Sequence, residues 1–236
     1  AMGQTAENVA ELKGVSREAM DEYGVMSQNK AEEAIARGFF EMDITPVTMP
    51  DGTVVSADDG PRAGVTLDAV SQLKPAFRPD GRITAGNACP LNDGAAAVVV
   101  MSRKRAEELG ITPMARIIAS SVSALNPEIM GLGPIEAIKR VLARANMSMS
   151  DIDLVEINEA FAAQVIPSAD ELGIDMVNQL NVNGGAIALG HPFGQTGARI
   201  MTTLLNGLQD SDKTFGLESM CVGGGQGMAM IVERLN

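Results

Sequence analysis

The chain has 236 residues, 45% of them apolar, and a formal net charge of −12. That length suits one or two domains with a real core, and the acidic balance argues against a nucleic-acid binder built on a basic face. No run of 18 apolar residues occurs, so no membrane span is expected, and two Cys far apart in sequence are no disulfide scaffold; a reduced, cytoplasmic setting is expected. The N-terminus lacks a basic-then-apolar signal pattern, and Glu233-Arg234-Leu235-Asn236 is no receptor-read address. Ala1-Met2-Gly3 leads straight into a helix-like segment, as in a chain cut from something longer. With six Phe, one Tyr and no Trp, small aliphatics and 15 Met must fill the interior, and 25 Gly point to tight turns and close packing.

The first forty residues read as helical. Thr5 can cap a short helix ending near Gly14, and Ser16 a longer one to about Arg37, stopped by Gly38, with Gly24 weakening its interior by about 1 kcal/mol. Residues 41–90 look irregular, with short strands at 44–48 and 52–56 and a helix at 66–73. Residues 95–101 form a continuous apolar run, the pattern of a strand buried on both faces. Ser102 caps a helix to Leu109, closed by Gly110. A strand at 115–121 precedes a helix with Pro134 in its first turn and a stripe of Ile135, Ile138, Val141 and Leu142. A strand at 153–157 leads to a helix from Glu159 to Leu172; a strand-like 181–183 leads to a glycine-rich loop at 184–197 and a helix from Thr196 to Leu208. Strands at 217–222 and 228–234 close the chain. The alternation makes the class α/β.

Three late segments place reactive side chains where a strand ends or a glycine turn begins. They are Asn158-Glu159-Ala160-Phe161-Ala162-Ala163-Gln164, then Asn181-Val182-Asn183-Gly184-Gly185 running on to Gly190-His191-Pro192-Phe193-Gly194, and Cys221-Val222-Gly223-Gly224-Gly225-Gln226-Gly227. Together they supply a thiol, an imidazole, a carboxamide and free backbone donors, a set suited to acyl or enolate chemistry with a developing oxyanion. The loop lacks Gly-Lys-Ser/Thr, so it is no phosphate loop of the P-loop kind.

These segments resemble the signature motifs of thiolases. The resemblance extends along the chain through Met2-Gly3 with Thr5-Ala6-Glu7-Asn8, Leu73-Lys74-Pro75-Ala76-Phe77, Gly86-Asn87 with Leu91-Asn92-Asp93-Gly94, and Ile129-Met130-Gly131 with Gly133-Pro134. It implies the layered αβαβα thiolase fold with mixed five-stranded sheets. Within it, 1–90 would be the end of the loop domain, 91–112 a returning strand and helix of the N-terminal half, and 113–236 the C-terminal half. By the same resemblance Cys221 is the acid/base cysteine, whose thiol, with an ordinary pKa of about 8.5, must be tuned or held close. His191 activates the nucleophilic cysteine and serves one oxyanion hole, Asn158 positions a water of that hole, and the Gly223 N–H serves the second. Arg62 faces the nucleotide end of CoA; Leu73, Phe77, Ala85, Ala88, Met130, Ala160 and Phe161 line the pantetheine and acyl tunnel, as does Met2. Cys89, followed by Pro90, stands where many thiolases have a serine on the pantetheine arm, and a thiol is the weaker donor.

Plainer readings stand beside these. His191 could be a satisfied core residue, Cys221 inert packing, Asn158 the cap of a helix starting at Glu159, Cys89 a small pocket wall and Arg62 a solvated loop residue. The implied function is Claisen acyl transfer between CoA thioesters, with thiolytic cleavage of 3-oxoacyl-CoA slightly favoured through Phe193 and Cys89-Pro90. CoA and acyl-CoA are substrates; no metal set and no permanently bound cofactor is expected. The motif of the nucleophilic cysteine is absent, so the N-terminal half is expected to be missing, supplied by the same polypeptide or a separate chain, with this chain alone inactive and the assembly a homo-oligomer. A ketoacyl synthase would need a second catalytic His, and there is one His. A non-catalytic CoA-binding subunit is the remaining alternative.

Overall fold

The computed structural model describes residues 1–236. Helix α1 (Met2–Lys13) ends at Gly14, whose φ of 66° closes it in the left-handed region. Thr5 lies inside this helix rather than at its cap, and its hydroxyl donates to the Met2 carbonyl. Helix α2 (Arg17–Ala36) starts at its expected cap, where Ser16 accepts from the Ala19 N–H at 3.1 Å. Gly24 sits in its interior for a tertiary reason: a Cβ there would lie 2.0 Å from the Gly86 carbonyl oxygen. Arg37 is the C-cap, and Gly38 opens a 3-10 turn at Phe39–Glu41.

The irregular stretch that follows carries the expected pieces in shorter form. β1 (Val47–Thr48) pairs with β2 (Val54–Val55), and α3 (Leu67–Ser71) is capped by Thr66. The expected strand at 95–101 is absent. No strand of either sheet lies beside that run, and Val98, Val99 and Val100 are exposed. A strand buried on both faces needs neighbours to take its backbone N–H and C=O groups, and none is provided here. Helix α4 (Arg103–Leu109) follows, with the Ser102 cap and Gly110 close that the sequence predicts.

The C-terminal part is a layered unit. Strand β3 (Ala115–Ala124) leads through a 3-10 stretch to α5 (Gly133–Ala145). Then come β4 (Leu154–Ile157), α6 (Ala162–Leu172), the single turn α7 (Ala186–Leu189), α8 (Thr196–Asp210), β5 (Phe215–Val222) and β6 (Gln226–Arg234). The sheet order is β3-β6-β5-β4; the first two pairings are antiparallel and the last is parallel. Alternation along each strand decides what it covers. Val155 and Ile157 of β4, Leu217 of β5 and Ile231 of β6 pack with Ile138, Val141 and Leu142 of α5 and with α6. Leu154 and Val232 face the other way, onto Leu204 and Leu208 of α8. Each such fully buried aliphatic side chain contributes roughly 1.5–3 kcal/mol.

Three expectations are corrected. The mixed sheet has four strands rather than five; at the outer edge of β4, Leu180 makes a single parallel bridge to Val155, with Val155 N–H on the Gln179 carbonyl and Asn181 N–H on the Val155 carbonyl, each at 2.9 Å. Asn181 has φ 44°, which ends the extended chain there, so 181–183 is not a strand. Helix α6 begins at Ala162 rather than Glu159, because Phe161 is extended and bridges Ala88, while the Ala160 carbonyl accepts the Cys89 N–H. No helix is long and apolar enough to cross a membrane.

Candidate active site

The three late segments are tied to one another through their backbones. The Asn158 N–H donates to the Ser219 carbonyl at 3.0 Å, which fixes the end of β4 two residues from Cys221. Cys89 N–H reaches the Ala160 carbonyl at 3.1 Å, two residues beyond Asn158. Three residues after Cys89, the Asn92 side-chain oxygen accepts the His191 N–H at 2.9 Å. These bonds run in one chain from β5 through Asn158, Ala160 and Cys89 to Asn92 and His191.

Cys221 is the penultimate residue of β5, opposite Gly227 on β6. Burial pushes its thiol up to about 11. The Cys89 thiol is pushed up to about 12, first by burial and then by the charge of Cys221. Both therefore rest as thiols at neutral pH. Gly223 begins the exposed turn between β5 and β6, and its N–H has no backbone acceptor within the chain.

His191 has an assignable tautomer. Its Nδ1 lies 2.7 Å from Thr196 Oγ1, and that hydroxyl donates its own hydrogen to the Pro192 carbonyl at 2.9 Å. Thr196 thus accepts from Nδ1–H, and Nε2 keeps its lone pair. Burial, and then the Arg199 guanidinium, lower the pKa of the ring, which favours the neutral form. The imidazole packs against Phe193 at a centroid distance of 5.0 Å and lines a cavity of about 310 Å³ with Leu91, Asn92, Asp93 and Phe193.

Asn158 is 1% exposed, yet neither its Oδ1 nor its Nδ2 has a partner in the protein. A buried carboxamide left open in this way costs about 1–3 kcal/mol unless a water or ligand satisfies it. It caps no helix: α6 starts three residues beyond Glu159, with Phe161 at its N-cap and no side-chain cap. That plainer reading of Asn158 falls.

The remaining candidates divide. Ala88, Ala160 and Met130 are buried, Cys89 and Phe161 are half-buried, and Phe161 meets Phe77 edge-on at 6.1 Å. Leu73, Phe77 and Ala85 are exposed, as is Met2 on α1. Arg62 stands apart on a loop whose backbone is pinned by Gln28, its guanidinium paired with no carboxylate. Sequence reasoning missed Thr196, Asn92 and Glu159. Thr196 could have been found by its place in the first helical turn, five residues after His191; nothing local announces the other two.

The family model described as "Thiolase, C-terminal domain" matches residues 111–234, and "Thiolase, N-terminal domain" matches residues 1–104. The chain belongs to the thiolase family. Among its relatives are acetyl-CoA acetyltransferases of Cupriavidus necator, 52% identical over 237 residues, and of Escherichia coli, 50% identical over 238 residues. The alignments cover 99% and 100% of this chain and 60% of each relative. The crystal structure of the Bacillus anthracis acetyl-CoA acetyltransferase superposes with a TM-score of 0.96 at 46% identity, over 100% of this chain and 60% of that one. Human mitochondrial 3-ketoacyl-CoA thiolase in complex with CoA gives 0.93 at 39% identity, over 100% and 59%. This thiolase chain thus spans about 60% of the length of the relatives it matches. The match at residues 1–104 shows that N-terminal-domain sequence is present in this chain, so the expectation that the N-terminal half is missing is not confirmed. The comparisons lend no support to a chain inactive by itself or to a non-catalytic CoA-binding subunit.

Proposed function

We propose that this thiolase chain carries the acid/base and oxyanion-binding machinery for acyl transfer between CoA thioesters, with acetyl-CoA and acetoacetyl-CoA as the substrate pair. The names of its relatives support the short acyl chain, and a neighbour solved with CoA supports the ligand. The observation that carries the reading is the Asn158 carboxamide, buried and unpartnered beside the strand of Cys221. His191 Nε2, with its lone pair free, would take the proton of the attacking thiol; once protonated it would donate, together with a water on Asn158, to a thioester oxyanion, and the Gly223 N–H would supply a donor to a second hole. Removing one such donor costs about 3–4 kcal/mol of transition-state stabilisation.

In cleavage, an acylated cysteine forms as the C–C bond breaks, and the departing acetyl-CoA enolate takes its proton from the Cys221 thiol. The Cys221 thiolate then removes the proton of the incoming CoA thiol, whose sulfur attacks the acyl group; the acyl–cysteine bond breaks, and the departing thiolate recovers its proton from His191. A resting thiol pushed up to about 11 suits the donor role in the first step. Synthesis runs the same transfers backwards. The acyl carrier is a thiol other than Cys221 and Cys89, supplied by thiolase sequence outside these 236 residues. Arg62 serves the phosphates of CoA, and Leu73, Phe77, Ala85, Ala88, Cys89, Met130, Ala160 and Phe161 serve its pantetheine arm and the acyl group. The assembly is a homo-oligomer.

The test is acetoacetyl-CoA thiolysis by the chain alone and by the chain joined to an N-terminal thiolase segment bearing the nucleophile motif. We expect turnover in the joined form, lowered about 10²–10⁴-fold by Cys221→Ala. Turnover by the chain alone that Cys89→Ser abolishes would transfer the nucleophile role to Cys89. Absence of turnover in the joined form despite CoA binding would overturn the enzyme reading.

A further inference from the structure

Glu159 follows Asn158 in the chain but turns the other way, into the interior, where it is 1% exposed. Its Oε1 accepts from the Tyr23 hydroxyl at 2.9 Å and from Asn181 Nδ2 at 2.8 Å. Its Oε2 accepts from the Ser27 hydroxyl at 2.6 Å and from the Ile187 N–H at 3.1 Å. One carboxyl group thus joins α2, through Tyr23 and Ser27, to the end of β4 and to the loop that delivers His191. The packing leaves it no slack: a Cβ at Gly185 would lie 2.2 Å from the Glu159 carboxyl carbon. Ser27 also accepts the Gly185 N–H, and Gln28 donates to the Ile187 carbonyl, so α2 grips the same loop at two points and Glu159 at a third.

We infer that Glu159 is a positioning residue whose buried carboxyl group sets the place of the His191 imidazole relative to the Asn158 carboxamide. This deepens the acyl-transfer reading and rests on it for its kinetic consequence. All four partners act as donors, so the site requires an acceptor at both oxygens. Asn181 cannot reverse its amide, because its Oδ1 accepts from Ile157 N–H and its Nδ2 also donates to the Ile157 carbonyl. Glutamine at 159 would fill the same volume but turn one oxygen into a donor. On the Oε1 side it opposes the Asn181 amide; on the Oε2 side it opposes the Ile187 N–H. Ile187 lies in α7, and Gly190 N–H bonds back to Ala186 in the same turn, so releasing Ile187 shifts the residue that carries the imidazole.

The chain contains one histidine, so its imidazole is read without assignment. Nitrogen-15 long-range correlation spectra of the 236-residue chain should show a single Nδ1–H tautomer. In Glu159→Gln the Nε2–H tautomer should appear alongside it, and the pKa of the ring should rise toward the ordinary histidine value as burial loosens. Val141→Ala, a core truncation on α5, should lower the melting temperature and leave the imidazole spectrum unchanged. Ser27→Ala removes one donor to Oε2 and should give a smaller shift in the same direction; it decides the matter if Glu159→Gln does not fold. In the joined thiolase, kcat should fall by about tenfold or more while KM stays within about twofold, as expected when reacting groups are displaced. A folded Glu159→Gln, or a folded Ser27→Ala where the first variant fails, with the wild-type imidazole spectrum would overturn the inference. Failure of thiolysis in the unsubstituted joined form would overturn the parent reading instead, and the spectra would still decide Glu159.

Discussion

Two apolar runs of this chain have opposite fates. Residues 154–157 form β4, with Leu154 3% and Val155 1% exposed, while residues 95–101 remain unpaired, with Val99 84% and Val100 70% exposed. Both are rich in aliphatic residues, though β4 also carries the buried Glu156. β4 has β5 on one side, Leu180 on the other, and helices above and below. The other run has neither. Apolar composition sets the demand for burial, and only partners from distant sequence meet it.

This contrast can be sharpened by mutation. Truncating the sheet centre should have the largest effect: Leu217→Ala, beside β4 and fully buried, should destabilise by about 2–5 kcal/mol in denaturant melts. A smaller and graded effect should come from pH. Burial pushes Glu156 on β4 up to about 8 and Glu218 on β5 up to about 7, while Arg199 partly opposes the shift at Glu156. Both folded pKa values lie above the ordinary carboxyl value of 4.5, so the native state binds more protons between those limits. The stabilisation is full below about 4.5 and is lost as pH rises through 7 and then 8. One pKa unit is worth about 1.4 kcal/mol, so the fall amounts to several kcal/mol. Melting temperature should drop from pH 5 to pH 8.5, less steeply in Glu156→Gln; a flat profile in the wild type would contradict the burial argument. The smallest effect belongs to Val99→Ala, which should stay within about 0.5 kcal/mol in the 236-residue chain. A loss of 1 kcal/mol or more there would break the comparison, because it would mean that the run is covered in solution.

Legibility followed the range of the determining contacts. The caps at Ser16 and Ser102 and the closing Gly14 and Gly110 act within a few residues, and the pattern places each of them. Thr5 misled because a Thr can cap a helix or bond back inside one, and which occurs depends on where the helix begins. Glu159 and Phe161 read as the start of a helix, but Ala88 and Cys89 draw that stretch into extended pairing. Of the candidate site, Cys221, His191 and Asn158 were chosen from motif and resemblance. The Thr196 bond that fixes the tautomer of His191 and the open carboxamide of Asn158 are facts of three-dimensional arrangement.

The sequence by itself determined the α/β alternation, the helix boundaries set by caps, and the three segments that carry thiol, imidazole and carboxamide, because periodicity and capping are local physics. Tertiary structure alone decided which apolar run becomes a strand, which nitrogen of His191 is free, and which acid locks the loop to the sheet. Those outcomes depend on hydrogen-bond partners and burial contributed by residues as many as 136 positions away, as in the bond from Tyr23 to Glu159.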